Sequence, residues 1–290
     1  MVDIGSEVLL SFGSKNLKER YLIPLANGSK RMSVAFAESE DGKDFSTVST
    51  VSERRGEEYL IRGGKRFVLN ASLADSFITL CKECDQGWTT LIVERKSNGV
   101  EVHPIEKMGL RMVTFGDLHF KEVRVPSENR IGREGEGMAH VTHCHQMMGL
   151  RSAGQALGTA QGAFDRALQH SKQREQFGRK LSEFQAIRHK LADMAVSIEV
   201  ARGLAYRSAI ECDEGKADRG FLSMTQLEVG RGLVRVVDEA LQIFGGYGYI
   251  AEQAIEHYFR DAWAIAAELG TEEELKDVIA EGLLGPLDKK

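Results

Sequence analysis

The sequence has little proline and little cysteine, with four residues of each in 290. So few cysteines argue against a disulfide scaffold and favour a reducing, cytoplasmic setting. Long apolar runs are missing too: no stretch approaches the roughly 20 residues of a membrane-spanning helix. The first residues lack a signal-peptide pattern, so we expect none. A strong excess of one charge is also absent, since the net charge of −5 argues against nonspecific nucleic-acid binding.

Two of the cysteines, Cys81 and Cys84, form a CxxC pair at the end of an apolar run. A structural zinc site would need a second pair at suitable spacing, which Cys144 and Cys212 do not supply. We interpret the pair as ordinary strand-end cysteines, with a redox or metal role as the alternative.

Apolar residues make up 42% of the chain and charged residues 28%, which is typical of a globular protein with a hydrophobic core. Residues 6–28 are predicted to form one or two short helices that end at Pro24 and at a turn of Asn27 and Gly28. Short β-branched and aromatic runs between residues 32 and 125 predict strands. Residues 59–70, interrupted at Gly63 and Gly64, are a candidate hairpin.

From residue 138 onward the apolar spacing becomes helical. The first helix carries Gly154, Gly158 and Gly162 on one side, which predicts close packing against a neighbour. Further helices are predicted at about 182–214, at about 221–244 and after residue 270. The predicted fold is α+β, a small, mostly antiparallel β domain followed by an antiparallel four-helix bundle. The predicted domains are a remnant helical segment (1–30), a middle β domain (31–133) and the bundle (134–290).

Two separate segments have the chemistry of a phosphate site. In RxxFG, Arg174 is a planar fork suited to a diphosphate, Phe177 supplies an aromatic face, and Gly178 lets the chain turn close to a ligand. The alternative is an ion-paired arginine at a helix end beside a packed phenylalanine.

The second segment is QIFGGYGY at residues 242–249. Gly245 and Gly246 would end a helix and expose backbone N–H groups, and Gln242 can donate to the same ligand. The alternative is a plain glycine cap.

Both segments resemble, in order and spacing, the acyl-CoA dehydrogenase family of flavoproteins. The loop SVAFAESEDG (33–42) and the link FKEVRVPSENRIGREGEG (120–137) extend the resemblance from about residue 5 to the end. It implies an FAD-dependent oxidoreductase of fatty acid metabolism that forms the α,β double bond of an acyl-CoA thioester. Electrons would pass to an electron-transfer flavoprotein-type acceptor. Family members begin with a helical domain that this sequence would largely lack.

The resemblance also implies site residues and an assembly. The cofactor-binding positions would be Ser39, Phe67, Arg174, Phe177, Gln242, Gly245, Gly246 and Thr271. Phe67 would pack against the flavin ring, but Leu69 replaces a hydroxyl residue of the family pattern. Because the second segment reaches the neighbouring subunit's cofactor in the family, we expect a homodimer or homotetramer, with a full-length homologue as a possible partner.

The catalytic base is where the sequence departs from the family. Oxidation of the thioester needs a carboxylate that removes the α-proton, and the family's glutamate directly precedes Gly-Thr. That position is Leu269 here, and Glu268 stands one residue earlier. Some relatives carry the base just before an arginine of the first bundle helix, which corresponds to Leu150 before Arg151, a residue that would support the substrate pocket.

Two interpretations follow for the base. Either a local shift turns Glu268 inward to act as the base, or Leu269 fills the pocket and no acceptor remains. A catalytically silent partner subunit, or a flavin monooxygenase on the same scaffold, would be the alternative functions. Nearby, Thr271 and Glu274 fit a helix capping box, and Arg260 with Asp261 is predicted to be a structural ion pair.

Overall fold

The computed structural model describes residues 4–38, 48–83 and 87–285. The chain forms two compact units. The first comprises Met1–Lys107 and Arg111–His145, and the second comprises Met108–Leu110 and Gln146–Lys290. Across the described ranges, no helix is long and apolar enough to cross a membrane.

The first unit opens with the helices α1 (Ile4–Phe12), α2 (Lys15–Leu17) and α3 (Ile23–Ala26), with a π-helical turn at Lys18–Leu22. The Ser14 side chain caps α2 by accepting the Leu17 N–H. The prediction that a helix ends at Pro24 is wrong, because Pro24 lies in the first turn of α3, where a missing N–H costs little.

A mostly antiparallel sheet forms the body of the first unit. Its strands are β1 (Met32–Ala35), β2 (Val51–Arg55), β3 (Glu58–Leu69), β4 (Ser76–Glu83), β5 (Gly87–Glu94), β6 (Val100–Ile105), β7 (Phe115–Pro126) and β8 (Arg130–Ile131). Their order is β6-β7-β3-β2-β4-β5-β8, and β1 pairs in parallel with β4. Alternate residues of these strands, such as Tyr59, Ile61 and Phe77, build a core from one face of the sheet.

The predicted hairpin over residues 59–70 is wrong, because these residues lie in β3, a single strand that continues to Leu69. The glycines mark a bulge instead, where the register against β7 shifts between Ile61 and Gly63. Gly63 has a φ of 137°, and a Cβ there would stand 2.6 Å from the Thr50 Cα. The hairpin in this region joins β2 to β3 across Gly56.

Cys81 lies inside β4 and is fully buried. Burial raises the pKa of its thiol to about 12, so the sulfur stays protonated at neutral pH. Its sequence partner, Cys84, lies outside the described residues.

The second unit is helical. Its elements are most of α4 (Gly137–Gln173), then β9 (Glu175–Gln176), β10 (Arg179–Lys180), α5 (Gln185–Asp213), α6 (Arg219–Phe244), α7 (Glu256–Leu269) and α8 (Glu272–Leu284). The core contains small residues of α4, such as Ala153 and Ala160, packed with Val236 of α6 and Ile265 of α7. The α+β fold, with a mostly antiparallel sheet followed by a helical region, is confirmed.

Two details of the helical region differ from the predictions. Helix α7 is an additional helix, which buries Ala262, Ile265 and Leu269 at helical spacing. Close packing of the α4 glycines holds at Gly162, where a Cβ would lie 2.9 Å from the Tyr258 ring. Gly154 and Gly158, in contrast, are surrounded by open space among the described residues.

Candidate functional site

The RxxFG segment forms a tight hairpin. β9 and β10 pair antiparallel, and Phe177 and Gly178 occupy the two turn positions with φ values of 53° and 78°. Two positive φ values favour a type I′ turn, for which glycine suits the second position. Phe177 accepts a costly conformation there, and its side chain is 93% exposed. The hairpin therefore holds an aromatic ring out in solvent, where a ligand can reach it.

The two sequence segments meet in the second unit. The Arg174 guanidinium carbon lies 5.0 Å from the centroid of the Tyr247 ring. A cavity of about 540 Å³ opens between them. Its lining residues come from both segments and their neighbours: His170, Arg174, Gln176, Leu181, Ile243, Phe244, Gly245, Gly246, Tyr247 and Ile250. We call this cavity the arginine–glycine cleft.

Two glycines, Gly245 and Gly246, line the arginine–glycine cleft. Gly245 ends α6 with a φ of 57°, and its N–H donates to the Gln242 carbonyl. A Cβ built on Gly245 or Gly246 meets none of the described residues within 4 Å. A ligand can therefore approach the backbone at both positions. Gln242 is exposed one turn earlier on α6 but does not line the cavity.

The chemistry of the arginine–glycine cleft suits one half of a dinucleotide. Arg174 brings a positive charge, and the Tyr247 ring and the stacked pair His170–Phe244, with centroids 4.1 Å apart, bring flat surfaces. Burial and the nearby Arg174 charge lower the pKa of His170, so its imidazole is neutral at pH 7. A diphosphate needs a cation with backbone donors, and a base needs flat faces. The residues present therefore fit such a cofactor.

A carboxylate from α7 meets the first helix of the bundle. Glu268 lies in the last turn of α7, half-buried, and its Oε2 accepts a hydrogen bond of 3.2 Å from the Ser152 hydroxyl of α4. Ser152 itself is 1% exposed. In the chain it directly follows Leu150 and Arg151. The structure thus places Glu268 beside the helical turn that carries the second position considered for the base.

Leu269 faces a different direction from Glu268. It is 2% exposed and belongs to the core of the bundle. Its carbonyl accepts a hydrogen bond of 2.9 Å from the Gln226 side chain. Successive helical residues point about 100° apart, so burying Leu269 in the core turns Glu268 toward α4. Arg151 lies on the exposed side of α4, near the open glycines Gly154 and Gly158.

The predicted capping box of α8 is confirmed. The Thr271 Oγ1 accepts the Glu274 N–H, and the Glu274 carboxylate accepts the Thr271 N–H in return. The hydroxyl also donates to that carboxylate at 2.9 Å. Thr271 therefore caps the start of α8 in this structure, and its role in cofactor binding stays a prediction.

Arg260 and Asp261 have structural roles, but the prediction that they pair with each other is corrected, because each contacts a different group. Arg260 forms an ion pair with Glu256, one turn earlier on α7, and donates to the Met108 carbonyl. Asp261 accepts the Leu110 N–H at 2.6 Å. Together the two side chains hold the segment Met108–Leu110 against α7, within the second unit.

In the first unit, Phe67 lies at the second bulge of β3. It has a φ of 55°, its ring is 39% exposed, and its N–H donates to the Asp117 carboxylate at 3.1 Å. The Arg66 guanidinium carbon stands 4.7 Å from the ring centroid. Ser39, the other predicted flavin contact of this unit, lies outside the described residues.

A buried ion pair that the sequence analysis missed anchors this region. Lys65 is 1% exposed, and its Nζ lies 2.6 Å from the Glu38 carboxylate and 3.2 Å from the Phe36 carbonyl. Glu38 also accepts the Thr50 N–H at 3.0 Å. The pair ties the residue before Ser39 to the strand that carries Phe67. A lysine inside an apolar strand pattern is the signal that could have revealed it, because a buried lysine needs a partner.

An antiparallel β unit followed by a helical bundle, with a cleft whose residues fit a dinucleotide, is the arrangement to compare with known proteins. The profile described as "Acyl-CoA dehydrogenase, middle domain" matches residues 33–123. The profile "Acyl-CoA dehydrogenase, C-terminal domain" matches residues 135–284. The chain belongs to the acyl-CoA dehydrogenase family, as the resemblance indicated.

Similar proteins support the assignment. The chain is 36% identical to a 3-(aryl)acrylate reductase of Clostridium sporogenes, over 97% of this chain and 76% of the relative. It is 35% identical to the CarC subunit of the caffeyl-CoA reductase–Etf complex of Acetobacterium woodii, over 97% and 75%. The solved butyryl-CoA dehydrogenase of Megasphaera elsdenii is similar with a TM-score of 0.91 and 34% identity, over 96% of this chain and 74% of that structure.

Proposed function

We propose that this chain is an FAD-dependent acyl-CoA dehydrogenase-like oxidoreductase that interconverts an acyl-CoA thioester and its α,β-unsaturated counterpart. The observation that carries the proposal is the meeting of Arg174 with Gly245, Gly246 and Tyr247 in one cleft. Family membership supports both FAD and the acyl-CoA substrate class. The two relatives are named as reductases, which supports testing the reaction in both directions.

The protein groups have defined tasks toward the cofactor. Arg174 neutralises diphosphate charge, and the backbone N–H of Gly246, which lies in open space, can donate to the same oxygens. Phe177 offers an exposed aromatic ring to a flat part of the cofactor. The cofactor contact of Phe67, in the first unit, stays a prediction from the family resemblance. The bound flavin supplies hydride transfer.

Glu268 is the group we assign to proton transfer. Its carboxylate would take the α-proton of the thioester, or return it in the reductive direction. The Ser152 hydroxyl fixes the orientation of the carboxylate through its hydrogen bond. The burial of Leu269 in the bundle core supports this choice, because Leu269 then does not occupy the place that the Glu268 carboxylate would need.

The partners follow from the same family. One relative is by name a subunit of a complex with Etf. We propose that this chain likewise exchanges electrons with an electron-transfer flavoprotein-type acceptor. We also propose a homodimer or homotetramer, or assembly with a full-length homologue.

A flavin titration tests the cofactor site. FAD added to the purified chain should give a protein-bound flavin spectrum, and Arg174→Ala should weaken binding about 10- to 100-fold, as expected for one charge-assisted contact. Arg179→Ala is the matched control: Arg179 lies on the same hairpin but stacks on Phe184 and does not line the cleft. Failure to bind FAD, or equal effects of the two variants, would contradict the proposal.

Anaerobic flavin bleaching tests the reaction. A panel of saturated acyl-CoAs should bleach the bound flavin, and unsaturated acyl-CoAs should reoxidise the reduced form. Glu268→Gln should retain flavin but slow both directions by about 10²–10⁴-fold. Glu273→Gln, an exposed acid in the first turn of α8, should behave as wild type. Bleaching in neither direction would favour the silent-subunit alternative, and unchanged rates in Glu268→Gln would exclude that residue as the base.

A further inference from the structure

The last turn of α7 lacks a backbone cap within the described part of the chain. The final carbonyls of a helix have no partner inside it, and a residue in the αL conformation after the helix often supplies one. Gly270, which follows α7, has a φ of 123° and a ψ of 160°, which is not the αL conformation. The end of α7 therefore depends on a partner from another element.

A glutamine of α6 supplies this partner. Gln226 is half-buried, and its Nε2 donates to the Leu269 carbonyl at 2.9 Å. One turn further along α6, the Leu269 side chain lies over Gly230, where a Cβ would stand 3.4 Å from the Leu269 Cδ1. Helix α6 thus holds Leu269 both by its backbone and by its side chain.

Gly149 of α4 makes room for the Gln226 amide. A Cβ on Gly149 would lie 2.3 Å from the Gln226 Nε2 and 2.7 Å from its Cδ, closer than a real Cβ can approach. Gly149 lies inside α4, where a glycine lowers helix stability relative to alanine. The close approach of the amide explains why a glycine stands there.

These contacts converge on Glu268. Ser152, one turn after Gly149 on α4, donates its hydroxyl to the Glu268 carboxylate at 3.2 Å. Leu269 is the next residue in the chain, and its carbonyl is the group that Gln226 holds. The same turn of α4 therefore contacts the glutamine that fixes the end of α7 and the carboxylate that α7 presents.

We propose that Gln226 is a positioning residue: its amide, packed against Gly149, holds the end of α7 so that the Glu268 carboxylate stays at Ser152. This inference rests on the proposed role of Glu268 as the base. Gln226 acts through the Leu269 peptide and needs no contact with the substrate. Its removal should therefore slow the chemical step and leave the binding of substrate and cofactor unchanged.

A second link between α6 and the same part of the chain provides a contrast. Arg231 of α6 donates to the Glu272 carboxylate at the start of α8, at 2.9 Å. Both side chains are about half exposed, 45% for Arg231 and 46% for Glu272. An exposed ion pair contributes little to holding a structure. Arg231 is thus a neighbouring contact that should not determine the position of Glu268.

Anaerobic bleaching of bound FAD by a saturated acyl-CoA tests the inference. Gln226→Leu keeps the size of the side chain but loses the donor. It should slow bleaching at saturating acyl-CoA by about 2- to 10-fold, the range expected for one neutral hydrogen bond. The affinity for FAD and the acyl-CoA concentration that gives half the maximal rate should stay within about twofold of wild type. Gln226→Lys restores a donor at the end of α7, where a cation is favourable, and should recover most of the rate.

Two control variants accompany Gln226→Leu. Gln161→Leu removes another half-buried glutamine of the bundle, one that links α4 to Arg202 of α5. Arg231→Gln breaks the exposed ion pair beside the end of α7. Both controls should bleach within about twofold of the wild-type rate, since neither touches the Leu269 carbonyl and the second breaks only an exposed pair.

Double variants test the path from Gln226 to Glu268. Gly149→Ala displaces the amide and should slow bleaching as Gln226→Leu does. In a Gln226→Ala chain the amide is absent, so Gly149→Ala should have little further effect. In a Ser152→Ala chain, Gln226→Leu should slow bleaching less than it does in wild type, because the contact that it protects is already lost.

Hydrogen exchange separates this inference from the proposed function. The amides of the last turn of α7 should exchange faster in Gln226→Leu than in wild type, whether or not the chain bleaches. If wild type binds FAD but never bleaches, the proposed function fails, and faster exchange would still support Gln226 as the residue that holds α7. If wild type bleaches and Gln226→Leu matches its rate, the positioning role is overturned. An equal loss of rate in Arg231→Gln, or a loss confined to acyl-CoA binding, would overturn it too.

Discussion

The Ser152 hydroxyl donates to the Glu268 carboxylate at 3.2 Å, so the end of α7 is joined to the first helix of the bundle. A buried donor next to a carboxylate does two things. It fixes the direction of the carboxylate, and it stabilises the charged form, which is the form that accepts a proton. The shift of the glutamate by one position from the family pattern is thus accompanied by a partner on α4 that holds it.

Ser152→Ala should therefore change the pH dependence of flavin bleaching. Without the hydroxyl the charged carboxylate is less stable, so the acid limb of the rate profile should move to higher pH. The maximal rate should fall about tenfold or less, since the carboxylate itself remains. Stopped-flow bleaching between about pH 5 and pH 9, where a general base titrates, measures the effect.

Ser223→Ala is a suitable control for the loss of a buried hydroxyl from the bundle, because Ser223 lies on α6 and is also buried. It should leave the pH profile in place. A Ser152→Ala profile that coincides with wild type would show that Ser152 does not act on the carboxylate that we propose as the base.

Leu269→Ala should distinguish the two interpretations of the leucine. Because Leu269 is packed in the bundle core, its truncation should lower the free energy of unfolding by about 2–5 kcal/mol. The preference among acyl-CoA chain lengths should stay the same. Urea denaturation and the bleaching panel provide the two measurements.

Leu284→Ala is the control for this change, since Leu284 is 86% exposed at the end of α8 and should be nearly neutral. If Leu269 instead filled the acyl pocket, its truncation would alter chain-length preference with little cost in stability. That result would also remove the support that Leu269 gives to Glu268 as the base.

Local structure could be predicted from the sequence where a residue pattern is compatible with only one structural context. Thr271 with Glu274 predicted a capping box, and the structure has it, because both contacts lie within one helical turn. Pro24 and Gly63 were misinterpreted as breaks because each residue is compatible with two contexts. Proline also suits a first helical turn, and glycine also suits a strand bulge.

Long-range contacts are harder to predict. The two cofactor segments could be assigned to one site only through the family resemblance, since 68 positions separate Arg174 from Gln242. The ion pair of Lys65 with Glu38 joins residues from separate elements, and no spacing rule links them. The direction of Glu268 likewise depends on which neighbour enters the core, a packing outcome that residue counting cannot reach.

Removing only one partner of the Lys65–Glu38 ion pair should lower the stability of the fold more than removing both. Lys65→Met leaves a carboxylate in a buried place without its cation, which should lower the free energy of unfolding by about 3–5 kcal/mol. The double variant Lys65→Met/Glu38→Leu removes both charges and should recover a large part of that loss. Thermal and urea unfolding of the three proteins measure it. A double variant as unstable as Lys65→Met would contradict the pairing.

The same pair should make the stability of the fold depend on pH in the acidic range. Burial raises the pKa of Glu38, but the Lys65 charge and hydrogen bonds from Lys65 and Thr50 outweigh it and hold that pKa below its ordinary value of 4.5. A carboxyl whose pKa is lowered by folding stabilises the protein above its unfolded pKa, and this contribution is lost as pH falls through the folded value. Carboxylates titrate between about pH 6 and pH 3. Over this range the melting temperature of wild type should therefore fall further than that of Lys65→Met/Glu38→Leu. Parallel melting curves for the two proteins over this range would contradict a charged Glu38 in the folded state.

Asp261→Ala should release the segment Met108–Leu110 from α7. The carboxylate accepts the Leu110 N–H, so its removal leaves that donor without its partner and should cost about 1–3 kcal/mol. The neighbouring backbone carbonyl of Met108 would keep its contact with Arg260. Hydrogen exchange of the Leu110 amide should therefore accelerate strongly, while exchange in the core-facing turns of α5 stays slow. Asp277→Ala on α8 provides the control. If the Leu110 amide remained protected in Asp261→Ala, the hydrogen bond to Asp261 would not be what holds the segment in place.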